Sequence, residues 1–276
     1  MSNVILFVFE GKNPELSIFG NIENNFSSYF SGRRICTIYD ADFYQLWSEI
    51  RDNSFEDIVS ILRRAFPSNK EKLQNIEYED VSDTFLFFDS DLHADDTSFD
   101  CKVALKEAFH MFGDGEDNIH LYLSYPMVEA VKSCYPQKEK CFDPCVWEID
   151  KGTEFKGHLG DRNHFADFRV NKFGLDKWFY LIEINYEKAC CLLYGSDVIP
   201  QTISEARRIS QQEIYNRQFD YFILKRSAVV ILSAFPFFII DFFNNETLSE
   251  QYNVMVKNFK PKEDCGFYHI LEQVKS

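Results

Sequence analysis

Positive charge is what this chain is short of. Lys and Arg total 29 against 44 Asp and Glu in 276 residues, a formal net charge of −15. A protein that coats nucleic acid nonspecifically draws its affinity from Lys and Arg neutralising phosphates. That class is excluded, whereas an enzyme that visits nucleic acid through a local basic patch or metal ions is not. A secretory leader is also missing: Met1 runs into an apolar segment without a basic start or a small-residue cleavage site. Eight cysteines without such a leader read as reduced thiols of a cytoplasmic protein. The most apolar later stretch, SAVVILSAFPFFIIDFF at 227–243, falls short of a membrane span and contains Pro236 and Asp241. It reads as buried core, and no membrane association is expected. The chain has no Gly-x-x-x-x-Gly-Lys loop, so any ATPase activity must come from a separate protein. No repeat or low-complexity tract is visible, and a hydrophobic content of 45% argues against disorder over most of the length.

What is present is an alternation of strand and helix signals. Val4–Phe9 is a short apolar run without room for a helix. RICTIYD (34–40) supplies a second strand ending in Asp40. Asp42 is an N-cap candidate for a helical pattern through Phe43, Leu46, Trp47 and Ile50, resumed at Ile58, Ile61, Leu62 and Ala65 after a break near Asn53 and closed by Pro67. Phe85–Phe88 is a third strand, Thr97–Phe112 a helix ending at Gly113, IHLYLS (119–124) a fourth strand, and Met127–Cys134 the start of another helix. This order predicts an α/β fold with a mostly parallel sheet flanked by helices over residues 1–135. Residues 136–170 are irregular and rich in Pro and Gly. Helical patterns follow over Leu175–Leu193, Ser204–Phe222 and Lys225–Phe243, the last broken by Pro236, so residues 136–276 are expected to be mainly helical.

The carboxylates stand where a parallel sheet gathers its functional groups, outside the carboxyl ends of strands. Glu10 follows the first strand, and Asp89 and Asp91 follow the third with one residue between them. Alternate residues of an extended segment point to the same side, so Asp89 and Asp91 can converge. Clustered carboxylates repel unless a cation holds them, and Mg²⁺ or Mn²⁺ is the fitting partner for carboxylate and water oxygens. The competing reading is that these acids cap helices, as Asp after a strand often does.

FVFEGKNPE followed by FLFFDSD on a βαβ background resembles the Toprim domain of topoisomerases, primases and metal-dependent nucleases. Within that family the pattern is most similar to the compact RloB- and AriB-type nucleases of bacterial phage-defence operons, whose Glu-Gly-x-x-x-Glu opening matches Glu10, Gly11 and Glu15. LYLSYPMVEAV, with Pro126 and Glu129, resembles the segment after their next strand. EFKGHL and INYEKACCLL resemble their Lys-bearing segments and bring in Lys156 and, more loosely, Lys188. The resemblance implies a divalent-metal-dependent nuclease with metal on Glu10, Asp89 and Asp91 and a second-sphere or second-metal role for Glu15. It implies catalytic contributions from Glu129 and Lys156, a DNA or tRNA substrate, and an ATPase partner in antiviral defence. Self-association is a further expectation. The surplus acids of DSDLHADD leave open whether Asp95 or Asp96 also takes part.

Several features carry bland alternatives. Glu15 reads equally as a solvated helix-start acid, Glu129 as a first-turn acid, Lys156 as a surface lysine and His93 as an incidental loop residue. Cys134, Cys141 and Cys145 with His158 and His164 lack the tight Cys-x-x-Cys knuckle of a structural zinc site. A different class of function also fits the acidity: a non-catalytic Toprim-like module that docks on or regulates a larger complex.

Overall fold

The computed structural model describes residues 3–30, 32–53, 55–90, 92, 100–113, 118–133, 146–157, 169–195, 198–244 and 246–260. Residues up to 89 together with 100–123 form one compact unit; Ser90, Leu92 and the residues from 124 onward form a second.

The first unit is built on β1 (Val4–Phe9), α1 (Asn13–Asn25), β2 (Arg34–Ile38), α2 (Phe43–Asp52), α3 (Ile58–Ala65), α4 (Lys70–Leu73), β3 (Val81–Asp89), α5 (Cys101–Gly113) and β4 (Ile119–Ser124). The strands lie in the order β2-β1-β3-β4, and β1 runs parallel to both β2 and β3. All six residues of β1 are buried, as expected of a central parallel strand covered on both faces. The chain first steps outward from β1 to β2. It then returns past β1 to place β3 on the other side.

Aromatic side chains tie this sheet together across the strands. The register pairs Phe7 with Phe85 and Phe9 with Phe87, so all four rings stand on one face. Tyr39, Phe9, Phe87 and Tyr122 form a stacked row with centroid spacings of 5.4, 5.2 and 5.2 Å. Phe7, Phe85 and His120 form a second row at 5.2 and 4.9 Å. α1 covers the β1 end of this face through Phe19, 4.4 Å from Phe7. On the other face Phe88 meets Phe43 of α2 at 5.3 Å, and Trp47 of α2 meets Phe112 of α5 at 6.2 Å.

Helix starts follow the expected chemistry. The Asp42 carboxylate accepts from the Gln45 N–H and that of Asp57 from the Ser60 N–H, so both are N-caps. The helical pattern from 43 to 65 is divided at Asn53, and Pro67 opens a 3₁₀ turn. Beyond β2, Asn69 behaves as a piece of strand: buried, its amide accepts from the Tyr39 N–H and donates to the Tyr39 carbonyl.

The second unit contains β5 (Val146–Glu148), α6 (Leu175–Tyr194), α7 (Ile203–Ala206), α8 (Gln211–Gln218), α9 (Leu224–Arg226), β6 (Ala228–Val230), α10 (Ala234–Phe242) and α11 (Glu246–Asn258). Gly195, in the left-handed conformation at φ 65°, closes α6, where an L side chain would be strained. The helical expectation for 225–243 is corrected. Residues 228–230 pair antiparallel with β5, and a helix starts only at Ala234. β-branched Val229 and Val230 favour a strand, and Pro236 falls in the first turn of α10, where a missing N–H costs nothing. β5 itself, in a stretch read as irregular, gave no signal because three residues are too few for a period. The expected helix after Met127 is a 3₁₀ segment, Val128–Lys132, and the 204–222 pattern divides into α7, α8 and a π-helical segment, Phe219–Ile223. Among the described residues no helix is long and apolar enough to cross a membrane.

Side chains of the helices complete the backbone of the β6 region. Fully buried Gln218 accepts from the Val230 N–H at 2.7 Å and donates to the Val230 carbonyl at 2.9 Å. Buried Lys188 donates to the Ile231 carbonyl, and Asn185 accepts from the Ser233 N–H. Replacing Gln218 with Ala strands two buried backbone groups, each costing about 1–3 kcal/mol. Gln218→Ala should therefore lower unfolding stability by about 2–5 kcal/mol in urea titrations followed by circular dichroism; a loss under about 1 kcal/mol would contradict this account.

Candidate active site

Two of the strand-end acids meet at the point where the strand order reverses. β1 and β3 are neighbours reached by excursions in opposite directions, and Glu10 and Asp89 stand at their carboxyl ends. In open parallel sheets the crevice at such a reversal is where ligands bind. The Asp89 N–H donates to Glu10 Oε2 at 2.6 Å, and the Glu10 N–H donates to the Phe87 carbonyl at 3.2 Å. The Glu10 side chain thus accepts where a longer β1 would offer a carbonyl. A short N–H bond to a carboxylate is among the stronger hydrogen bonds, and it fixes Glu10 against the residue that bears the second carboxylate. Both residues are half-buried.

The next described helix, α5, opens at Cys101, and Asp100 serves its first turn by accepting from the Lys102 N–H. Asp91, His93, Asp95 and Asp96 lie outside the described residues. The cysteines at 134, 141 and 145 and the histidines at 158 and 164 do as well.

Glu15 is neither solvated nor gathered with the other two. It is 4% exposed in the first turn of α1, and its Oε1 accepts from the Gly11 N–H at 3.0 Å. A Cβ on residue 11 would lie 2.7 and 3.0 Å from the Glu15 carboxylate oxygens. A side chain at 11 would require the folded-back Glu15 carboxylate to give way. Among the described residues no group of three or more His, Cys, Asp or Glu is arranged to hold a metal ion. The described acids at this edge are Glu10 and Asp89, joined through the Asp89 backbone N–H. Hard oxygen donors in that number fit Mg²⁺ or Mn²⁺, which commonly take one or two carboxylates and complete their shell with water and substrate phosphate.

Glu129 and Lys156 belong to the second unit. They are brought together there, Lys156 Nζ lying 3.4 Å from Glu129 Oε1. Sequence reasoning named each without pairing them, since 26 intervening residues give no spacing signal. Glu129 is 8% exposed, and its Oε2 is buried without a hydrogen bond among the described residues. Lys156 is 62% exposed on its side chain, so the pair returns at most about 1 kcal/mol, whereas a buried unsatisfied carboxylate oxygen costs about 1–3 kcal/mol. Stability alone does not account for this acid. Lys188 is buried and spent on the Ile231 carbonyl, a structural position.

No protein-family model, curated protein or solved structure matches this chain.

The Gly11 contact yields a prediction of its own. Gly11→Ala forces the Glu15 carboxylate off its N–H partner and should cost about 1 kcal/mol, while in a Glu15→Ala background the same change should cost almost nothing. A double-mutant cycle by chemical denaturation measures the coupling; two additive penalties would mean that residue 11 and Glu15 do not share this space.

Proposed function

We propose that the protein is a Toprim-like, divalent-metal-dependent nuclease that hydrolyses phosphodiester bonds of DNA or of a structured RNA such as tRNA. The observation that carries this reading is the placement of Glu10 and Asp89 on adjacent strand ends at the reversal of strand order, joined by the Asp89 N–H. When bound, Mg²⁺ or Mn²⁺ supplies Lewis-acid stabilisation of the phosphate and a lowered pKa for attacking water. Glu10 and Asp89 would hold the ion, with Asp91 as the third carboxylate of the motif. The backbone of β3 restrains Glu10, so its carboxylate needs little reorganisation as charge develops. The Glu15–Gly11 contact keeps the turn after β1 tight against the edge. Glu129 would orient Lys156, an exposed cation suited to a phosphate oxygen. The Toprim resemblance extends this to a toxic effector in antiviral defence, held in check by an ATPase partner in the cytoplasm.

A non-catalytic docking module is the second reading, and one feature favours it. Fully exposed Phe55 flanks an apolar cleft of about 300 Å³ lined also by Ile58, Ile61, Tyr78, Met111 and Phe112. Exposed Phe55, Tyr78 and Met111 at its rim, beside Glu56 and Asp57, would offer a partner a mixed apolar and acidic surface.

Cleavage assays on plasmid, linear DNA and tRNA, with Mg²⁺, Mn²⁺ or EDTA, decide between them. Asp89→Ala should reduce metal-dependent cleavage at least about a hundredfold. It should leave stability within about 1 kcal/mol of wild type, because the backbone N–H that anchors Glu10 remains. Metal-independent or undiminished cleavage in the variant would overturn the catalytic assignment; absence of cleavage by the wild type with every substrate and metal would favour the docking module.

A further inference from the structure

We infer that Lys12 and Lys72 form a phosphodiester-binding pair that lays a nucleic-acid backbone along the carboxyl edge of the sheet, beside Glu10 and Asp89. The inference rests on the nuclease reading and names the cations that would hold its substrate.

The two lysines reach this edge from independent elements. Lys12 is exposed, two residues beyond Glu10, at the N-cap of α1. Lys72, on α4, donates from Nζ to the Thr37 carbonyl at 2.8 Å, near the carboxyl end of β2. Its ammonium lies 4.7 Å from the centre of the Tyr39 ring. That ring stacks on Phe9 at 5.4 Å, and Phe9 is the residue before Glu10. Asn69 clamps the Tyr39 N–H and carbonyl, so the seat under Lys72 is rigid. A preorganised cation loses less freedom on meeting an anion.

Burial lowers the Lys72 pKa and the Lys12 charge lowers it further, while Cys36 and Asp40 oppose the shift. Cations that share one edge favour a bound anion. α1 adds the positive end of a 13-residue helix. Asp40 stands beside the pair, and Glu15 and Glu23 act on Tyr39. With those acids near, a lone phosphate is held poorly, whereas a polyanion that touches both lysines at once is favoured.

Fluorescence anisotropy of a labelled DNA duplex and of a labelled tRNA, in EDTA at several salt concentrations, tests the pair. Wild type should bind one or both, with affinity falling steeply with salt; the arm that binds identifies the substrate. Lys12→Glu with Lys72→Ala should weaken binding at least several-fold and reduce the slope of log affinity against log salt by roughly one to two. Lys72→Arg alone, which keeps the charge beside Tyr39, should retain most of the wild-type slope and separates loss of charge from damage to the fold. Inorganic phosphate at millimolar concentration should not compete. Unchanged affinity and slope in the double variant, or no binding by the wild type, would overturn the lysine assignment even if the protein cleaves. Lysine-dependent binding without cleavage in Mg²⁺ or Mn²⁺ would leave the assignment standing and remove the nuclease reading.

Discussion

The pairing of β1 with β3 is the constraint on which the first unit depends. β1 is buried along its whole length, so every residue in it must find apolar neighbours on both faces. The stacking of Phe7 on Phe85 and of Phe9 on Phe87 meets that need on one face. Each such pair contributes about 0.5–1.5 kcal/mol beyond its buried area. A slip of the register by one residue would turn these rings to the opposite face. The aromatic rows therefore set where β1 stops relative to β3, and that fixes which side chains meet at the edge.

The same register turns a strand end into a chemical site. β1 stops short of β3, which leaves the Asp89 N–H without a β1 carbonyl opposite it, and Glu10 supplies the acceptor. A carboxylate used this way is held in place by backbone geometry and not by the sampling of its own rotamers. Gly11 and Glu15 form the next layer outward: the glutamate carboxylate lies where a side chain at 11 would go. Gly11 and the buried acid five residues after Glu10 thus describe one contact.

Amide and ammonium side chains do comparable work elsewhere. Asn69 extends β2 past its last paired residue, and Gln218 closes the outer side of β6. Buried backbone groups must be satisfied, and a short strand cannot recruit another strand for the purpose. Lys188, named as a loosely supported functional candidate, turns out to serve the same need at Ile231. Its burial and its carbonyl partner distinguish it from exposed Lys156.

Much of the first unit was legible in the sequence because its signals are local. Continuous apolar runs marked β1 and β3, Asp42 sits where a cap must sit, and Pro67 could not continue a helix; the second cap, Asp57, emerged only from the structure. The second unit was less legible: β6 was hidden in an apolar run that a helix would also accept, and β5 is shorter than any period. By itself the sequence determined the excess of acid, the order of the parallel α/β elements and the acids at the strand ends, since each is a property of neighbouring residues. Only the tertiary structure decided that β3 lies beside β1, that the Asp89 N–H grips Glu10, that Glu15 turns onto Gly11 and that Lys72 reaches Tyr39. Those contacts join residues through strand order and side-chain direction, and neither is encoded in the spacing along the chain.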